Sequence, residues 1–427
     1  MAWQLPPHLF SVYNLFMEQH QIIDRRGSGS LKWDVAAKDE LPLWVADMDF
    51  SSPQVVLEAI RQRLDHPILG YTRTDNQCLH HFADWCEARQ GWRPEISDLV
   101  MTGGILSAIG MALQFFTKPG DGVVIQTPVY HPFATIVSEM DRKLIRNSLI
   151  RQEGTGGNPY RMDFDKLRDI LESEKPKALV LCSPHNPVGR VWKREELETL
   201  LELCARNQVF VISDEIHADI IMPGHKFISV GEMIGPGKRF PNAAALVLQS
   251  PSKTFNIPGL PSCLAYVPGS EWRQKLRDGI SALGMSTINV LAQVACSAAY
   301  AEGAEWMDEV LGVIDTNYRL LEMQVRQWRD RWPAWATTEQ SLQLITPEGS
   351  YLAWLRFKPI QEALKIDNAG LQQWLRKNAG VYLSAGQQFG SEGDGYLRLN
   401  VATHEAILIE ALERLQKALD GIYEARS

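Results

Sequence analysis

From Leu99 onward the chain repeats one theme, and that theme limits the fold more than any other feature. A short β-branched apolar run is followed by a loop of Gly, Pro, Ser or Asn, then by a longer segment with apolar residues three or four positions apart. The runs are DLVMT (98–102), GVVIQ (122–126), KALVLCS (177–183), VFVIS (209–213) and AALVLQ (244–249). Between them lie ILSAIGMALQFF, FATIVSEMD, FDKLRDILESE and REELETLLELCARN, which carry helical spacing. A strand that is apolar on both faces needs cover on both. The pattern therefore predicts an α/β domain whose mostly parallel sheet is central and covered by helices.

Beyond it the rhythm changes. Residues 289–328 read as long helix, and SYLAWLRF, GVYLS and YLRLNVA then alternate with helices, which predicts a smaller α+β domain. The closing HEAILIEALERLQKALDGIY places Leu408, Ala411, Leu412, Leu415, Leu419 and Ile422 on one helical face. We expect an N-terminal arm contributing to the small domain over 1–50, a large domain over 51–300 and a small C-terminal domain over 301–427. With 427 residues and 45% hydrophobic content there is enough chain for a large core.

Charge and cysteine usage narrow the function classes. A formal charge of -8 without a long run of Lys or Arg gives no electrostatic reason for nucleic acid, so a small molecule is the expected partner. The six cysteines are scattered without C-x-x-C spacing, which suggests neither a zinc site nor a disulfide framework and fits a reducing cytosol. MAWQLPPHLFSVYN lacks the pattern of a secretion signal, and no stretch nears the roughly eighteen apolar residues of a membrane span. The expectation is a cytoplasmic protein without a membrane partner or a metal.

In parallel α/β sheets ligands bind at the carboxyl ends of the strands, so the residues following each run matter most. VMT leads to Gly103, Gly104 and Ile105, where a helix N-terminus could hold a phosphate or the glycines could simply make a tight turn. VVIQ leads to Tyr130, a ring for a ligand or for the core. LVLCS leads to Asn186 between Pro184 and Pro187, a constrained amide or a loop asparagine bonded to itself. VFVIS ends in Asp214, Glu215, Ile216 and His217; a carboxylate there loses solvation and needs a cation or several donors, unless it only caps a helix. ALVLQ reaches Ser250, Ser252 and Lys253, and most lysines point to water. Taken together, an amine, a carboxylate, an amide, an aromatic ring and a phosphate loop are the parts that pyridoxal phosphate catalysis needs.

SPHNPVG, SDEIH and SPSKTFN follow one another in this order. With them the chain resembles the fold-type I pyridoxal-phosphate enzymes of the class I/II aminotransferase superfamily over nearly its whole length. LPLWVADMDF, GYTR, SDEIHADI, SKTFNIPGL and FGSEGDGYLRLNVA look more narrowly like the MalY/PatB branch, the cystathionine β-lyase type of C–S lyase. The resemblance implies that Lys253 binds the cofactor aldehyde and then moves protons, and that Asp214 pairs with the pyridinium nitrogen. Asn186 and His217 would face the ring hydroxyl and Tyr130 would stack on the ring. Gly104, Ile105, Ser250 and Ser252 would hold the phosphate, joined by Tyr71 of a neighbouring subunit, which would also reach the substrate and requires a homodimer. Arg398 would grip the substrate α-carboxylate; from residue type alone it could equally form a surface ion pair.

One position departs from the family. Many aminotransferases carry an arginine eight residues beyond the lysine as a phosphate clamp, and Pro261 stands there in this chain. The expected activity is β-elimination from L-cystathionine and related cysteine S-conjugates to a thiol, pyruvate and ammonia. Transamination on the same scaffold is the alternative, and a regulatory cofactor-binding protein that contacts a macromolecule is the alternative of a different class.

Overall fold

Seven strands form the central sheet of a computed structural model that describes residues 21–152, 157–333 and 341–424. The first twenty residues of the expected N-terminal arm lie outside the described residues. In chain order the strands are β1 (Leu99–Thr102), β2 (Gly122–Ile125), β3 (Lys143–Arg146), β4 (Ala178–Cys182), β5 (Phe210–Asp214), β6 (Ala245–Gln249) and β7 (Cys263–Tyr266). Their spatial order is β1-β7-β6-β5-β4-β2-β3. All neighbours are parallel except β7, which runs antiparallel to both β1 and β6. The five runs read from the sequence are thus strands of a largely parallel sheet, and two further strands join it. β3 has two exposed termini and a single fully buried residue, as an edge strand does, so it lacks an apolar run. β7 is only four residues long and follows the prolines and glycine of the lysine loop.

Alternate residues of each central strand serve opposite layers. Val180, Phe210, Ile212 and Leu246 join Ile109 and Leu113 of the helix Ile105–Phe116 and Leu276 of the helix Ser270–Ala282. Leu179, Leu181, Val211 and Val247 join Leu197 and Leu200 of the helix Arg194–Arg206. Each such side chain contributes about 1.5–3 kcal/mol by leaving water, which accounts for the unbroken apolar runs. Between β2 and β4 the chain reverses the direction in which it adds strands, leaving a crevice at their carboxyl ends.

The expected long helix is two helices, Val290–Glu302 and Ala304–Arg331, broken at Gly303. A Cβ on Gly303 would lie 2.4 Å from the Ala299 carbonyl oxygen and 2.4 Å from the Phe255 ring. Packing against Phe255, two residues beyond Lys253, therefore decides where the helix breaks. A four-stranded antiparallel sheet follows: β8 (Gln343–Leu344), β9 (Leu352–Arg356), β10 (Ser384–Ala385) and β11 (Tyr396–Asn400), ordered β8-β9-β11-β10. GVYLS serves two sheets, since Val381–Tyr382 pairs in parallel with Leu41–Pro42 and Ser384 pairs with Arg398. The last helix, Glu405–Glu424, buries all six residues predicted for its apolar face.

After Leu41–Pro42 the backbone of residues 43–50 runs as a strap past the carboxyl ends of the central strands, held by backbone bonds at Leu43 and Asp49 and elsewhere by side chains. Ser384 Oγ donates to the Trp44 carbonyl (2.9 Å), Asn400 Nδ2 to those of Val45 (2.8 Å) and Asp47 (2.6 Å), and the Tyr351 hydroxyl to that of Ala46 (2.9 Å). Asn256 Oδ1 accepts the Met48 N–H (2.9 Å), while its Nδ2 donates to the carbonyls of Met48 (3.1 Å) and Phe50 (2.8 Å). The strap carboxylate Asp49 meets the fully buried Lys32 at 2.7 Å and Arg25 at 2.8 Å, so neither buried charge is left alone. Among the described residues no helix is long and apolar enough to cross a membrane.

Asn256 also sits at a φ of 52° in the left-handed region, which asparagine tolerates better than alanine. Asn256→Ala should therefore lower the thermal midpoint through both strain and about 1–3 kcal/mol for each buried polar group left unsatisfied. Asn256→Gly removes the strain and not the lost bonds, so it should recover only part of the loss. A glycine variant as stable as the natural protein would show that the side-chain bonds do not hold the strap.

Candidate active site

At the carboxyl ends of β1, β4 and β5 lies a cavity of about 440 Å³, bordered on one side by the strap residue Ala46. The helix Ile105–Phe116 points its N-terminus into it. Gly104 adopts φ 122°, ψ 163°, a conformation open to glycine, and a Cβ there would approach Pro261 to 3.5 Å. The N–H groups of Ile105, Leu106 and Ser107 precede the first intrahelical bond, which Ala108 makes to Gly104, and so remain available to an anion. Pro261 lines the same wall, in the place where the family arginine would stand.

Asp214 ends β5 and is 3% exposed. Its Oδ1 accepts the Ile216 N–H at 3.1 Å, and no cation lies within ion-pair distance of it among the described residues. Burial pushes its carboxyl up to about 7, against the weaker opposing pull of that N–H and of Lys253. Glu215 follows it on a strand end, where successive side chains face opposite ways. It turns from the cavity and accepts from Ser229 Oγ (2.6 Å), the Val230 N–H (2.8 Å), Gln249 Nε2 (3.0 Å) and Ser213 Oγ (3.0 Å). His217 is buried on the cavity wall, and its Nδ1 has no partner among the described residues. Burial, reinforced by Lys253 and Arg398, lowers its pKa to about 3, so the ring stays neutral near pH 7.

The lysine stands in a four-residue helix, Pro251–Thr254, capped by Ser250. Ser250 Oγ accepts the Ser252 N–H at 3.2 Å and donates to the Ser262 carbonyl at 2.6 Å; it holds the turn and does not line the cavity, whereas Ser252 does. Behind the turn Thr254 Oγ1 donates at 2.8 Å to the half-buried Asp219, which Trp85 Nε1 (3.0 Å) and Gln90 Nε2 (2.9 Å) also hold. Lys253 Nζ projects to the Ala46 carbonyl at 2.6 Å. Burial lowers its pKa to about 8, with Arg398 acting in the same sense and Asp47 and Asp214 against it.

Arg398 is 5% exposed and comes from β11, so the small sheet supplies it. Nη1 donates to Asn186 Oδ1 at 3.2 Å and Nη2 to the Trp44 carbonyl at 2.9 Å, while the buried Nε has no partner among the described residues. No carboxylate pairs with it among the described residues, and burial lowers its pKa to about 10. Tyr130 completes the group from the loop after β2, with its ring on the cavity wall.

One chain thus brings together Lys253, Asp214, His217, Asn186, Tyr130, Gly104, Ile105 and Ser252 around the cavity, with Arg398 bonded to Asn186. Tyr71 is elsewhere: it is fully exposed in the loop between the helices Gln54–Asp65 and Asn76–Trp85, beside exposed Ile68 and Leu69. The strap segment LPLWVADMDF was read as a motif of the resemblance, but no role in the site was assigned to it. Ala46 and Trp44 act through backbone carbonyls, which leave no mark of residue type.

The residues fit pyridoxal phosphate. A buried carboxylate with one N–H for company suits a protonated ring nitrogen, the His217 and Asn186 side chains suit a ring hydroxyl, and a helix N-terminus suits a phosphate. No group of three or more His, Cys, Asp or Glu side chains that could hold a metal ion occurs among the described residues.

Comparison with known proteins agrees with this chemistry. Residues 38–415 match the model of the family described as aminotransferase class I and II. The cystathionine beta-lyase PatB of Bacillus subtilis is 36% identical over 405 residues, covering 93% of this chain and 98% of the relative. Protein MalY of Escherichia coli is 31% identical over 95% of this chain and 97% of its own. Among solved structures, cystalysin from Treponema denticola, which contains a pyridoxal 5'-phosphate cofactor, superposes with a TM-score of 0.85 at 32% identity, covering 95% of this chain and 99% of that one. The chain therefore belongs to the class I and II aminotransferase family and has the fold of its pyridoxal-phosphate enzymes.

Proposed function

We propose that this protein is a pyridoxal-phosphate-dependent C–S β-lyase that cleaves L-cystathionine and related cysteine S-conjugates to a thiol, pyruvate and ammonia. The observation that carries the reading is one cavity flanked by a recessed amine, a carboxylate and a guanidinium, Lys253, Asp214 and Arg398, none in an ion pair among the described residues. Buried charges are costly unless paired, so each implies a partner that the ligands bring. Kinship with the cystathionine beta-lyase PatB favours elimination over transamination, because the same side chains serve both reactions.

When bound, the cofactor supplies the aldehyde that captures the substrate amine and the electron-withdrawing ring that makes the Cα proton acidic. The protein groups do the rest. Arg398, oriented by Asn186 and the strap carbonyl of Trp44, would take the substrate α-carboxylate in a fork of two N–H donors. Held there, the substrate would present its Cα–H to the Lys253 amine, which at a pKa of about 8 has a sizeable neutral fraction at physiological pH. As that proton is removed, the electron pair left at Cα would form the Cα–Cβ double bond, and the Cβ–S bond would break with its pair on sulfur. A proton then completes the thiol, and water converts the remaining three-carbon fragment to pyruvate and ammonia. Asp214 would keep the ring nitrogen protonated, its own carboxyl ionising once that cation is beside it. Gly104, Ile105 and Ser252 would hold the phosphate, and Tyr130 the ring face.

The proposal includes a cytoplasmic homodimer, in which Tyr71 of one subunit reaches the phosphate and substrate of the other. Its complete exposure, next to exposed Ile68 and Leu69, supports such a contact. The proposed place in metabolism is sulfur amino-acid turnover, between cysteine conjugates and the thiol released for methionine.

Incubation with L-cystathionine should give stoichiometric thiol and pyruvate without any 2-oxo acid; turnover that requires a 2-oxo acid would make the protein an aminotransferase. Lys253→Ala should abolish turnover, since proton transfer alone accounts for about 10²–10⁴-fold. Asp214→Asn should keep the cofactor and lose most activity.

Cofactor uptake gives an independent reading of Lys253. Only the neutral amine attacks an aldehyde, so the rate at which cofactor-free protein takes up pyridoxal phosphate should rise with pH and level off above about 8. An uptake rate still climbing towards the ordinary lysine pKa of about 10.4 would show that burial does not tune this amine. For the subunit contact, Tyr71→Ala should leave a dimer in sedimentation and weaken retention of the cofactor; tight retention would remove Tyr71 from the phosphate site.

A further inference from the structure

A second cavity, of about 340 Å³, opens between the loop Thr127–His131 and the turn Gln387–Ser391. Tyr130 borders this cavity as well as the first. The two loops are joined by the Val129 N–H bonded to the Phe389 carbonyl at 2.9 Å. The Arg398 guanidinium lies 4.8 Å above the Phe389 ring, and the His131 ring is 6.0 Å from Phe389 and 5.5 Å from Tyr130. The proposed carboxylate grip and the second cavity are thus neighbours across Phe389 and Tyr130.

The chemistry of its lining is one-sided. Arg146, the last residue of edge strand β3, contributes a guanidinium without an ion pair among the described residues. His131, Gln387, Gln388 and Ser391 add side chains able to donate hydrogen bonds, and among the described residues no carboxylate lines the space. Glu392, in the adjoining turn, accepts from Thr127 and Ser148 through Oε1, and its Oε2 is buried away from the space. A free guanidinium surrounded by amides and an imidazole matches a carboxylate better than an amine or an alkyl group. The volume lies in the range of small-ligand sites and suits a short chain.

Resting on the lyase reading above, we propose that this cavity is a subsite for the part of the substrate beyond sulfur, and that it favours leaving groups ending in a carboxylate. Arg146 is its specificity-determining residue. It touches neither the cofactor groups nor the proton-transfer lysine, so its effect is confined to the choice of conjugate.

The test compares S-(2-carboxyethyl)-L-cysteine, whose far end is a carboxylate alone, with S-ethyl-L-cysteine, which has no distal charge, and with S-(2-aminoethyl)-L-cysteine, which ends in an amine, all on the holoenzyme. Arg146→Ala should lower kcat/KM for S-(2-carboxyethyl)-L-cysteine about tenfold, mainly through KM, and leave that for S-ethyl-L-cysteine within about twofold. Arg146→Glu should shift preference towards the amine-ended conjugate, a gain that misfolding does not produce. Equal changes for all three substrates, or no change for any, would overturn the subsite. If the unaltered protein splits none of them, the lyase reading fails and the subsite with it.

Discussion

The exclusion of water around three charged side chains governs the site. Asp214, Lys253 and Arg398 each lose solvation in the same region, and the loss moves each towards its neutral form: the carboxyl up to about 7, the amine down to about 8, the guanidinium down to about 10. These shifts share one cause and have different uses. An amine poised near neutrality can take a proton, a carboxyl poised near neutrality responds strongly to a cation beside it, and a guanidinium stays charged throughout. Pairing Asp214 with Lys253 directly would relieve the cost and remove both functions, and no ion pair joins them. The amine donates instead to the Ala46 carbonyl at 2.6 Å.

That carbonyl is available because the strap is fixed from both sides. Asn256 and Lys253 hold it from the lysine loop, while Ser384, Arg398, Asn400 and Tyr351 hold it from the small antiparallel sheet. The strap therefore ties the element that carries the amine to the element that carries the guanidinium. Its own charge is contained by Lys32 and Arg25 on Asp49 and by Arg25 on Asp47. Because these groups are buried, loss of one partner strands another in a dry environment.

Much of this was legible in the sequence, for physical reasons that also mark the boundary of what was not. Strands buried on both faces must be apolar throughout, so β1, β2, β4, β5 and β6 were all visible as runs. Sites at strand ends follow from parallel topology, which is why Tyr130, Asn186, Asp214, His217 and Lys253 could be named before any coordinates. The edge strand β3 carries too few buried side chains to form a pattern, and β7, though buried at all four positions, reads CLAY and lacks the β-branched residues that marked the other runs. The helix break at Gly303 depends on Phe255, which is far away in sequence. Ser250, read as a phosphate contact, also bonds the Ser262 carbonyl and the Ser252 N–H through its hydroxyl, partners that residue type does not reveal.

The proline at position 261 gains its meaning from the same electrostatics. Where many aminotransferases place a guanidinium, this chain sets Pro261 against Gly104, and among the described residues Lys253 is the sole cationic side chain lining the main cavity. A phosphate held there would be neutralised mostly by the helix N-terminus, whose partial charge of about half a unit falls short of the dianion. The remaining demand would fall on the Ser252 hydroxyl, on the proposed contact from Tyr71 of a second subunit, and on the proposed covalent hold of Lys253. A cofactor bound in this way would be anchored at its aldehyde end more than at its phosphate. Retention of the cofactor and the geometry of the lysine turn, fixed by Ser250, Thr254 and Asp219, are then one property of the fold.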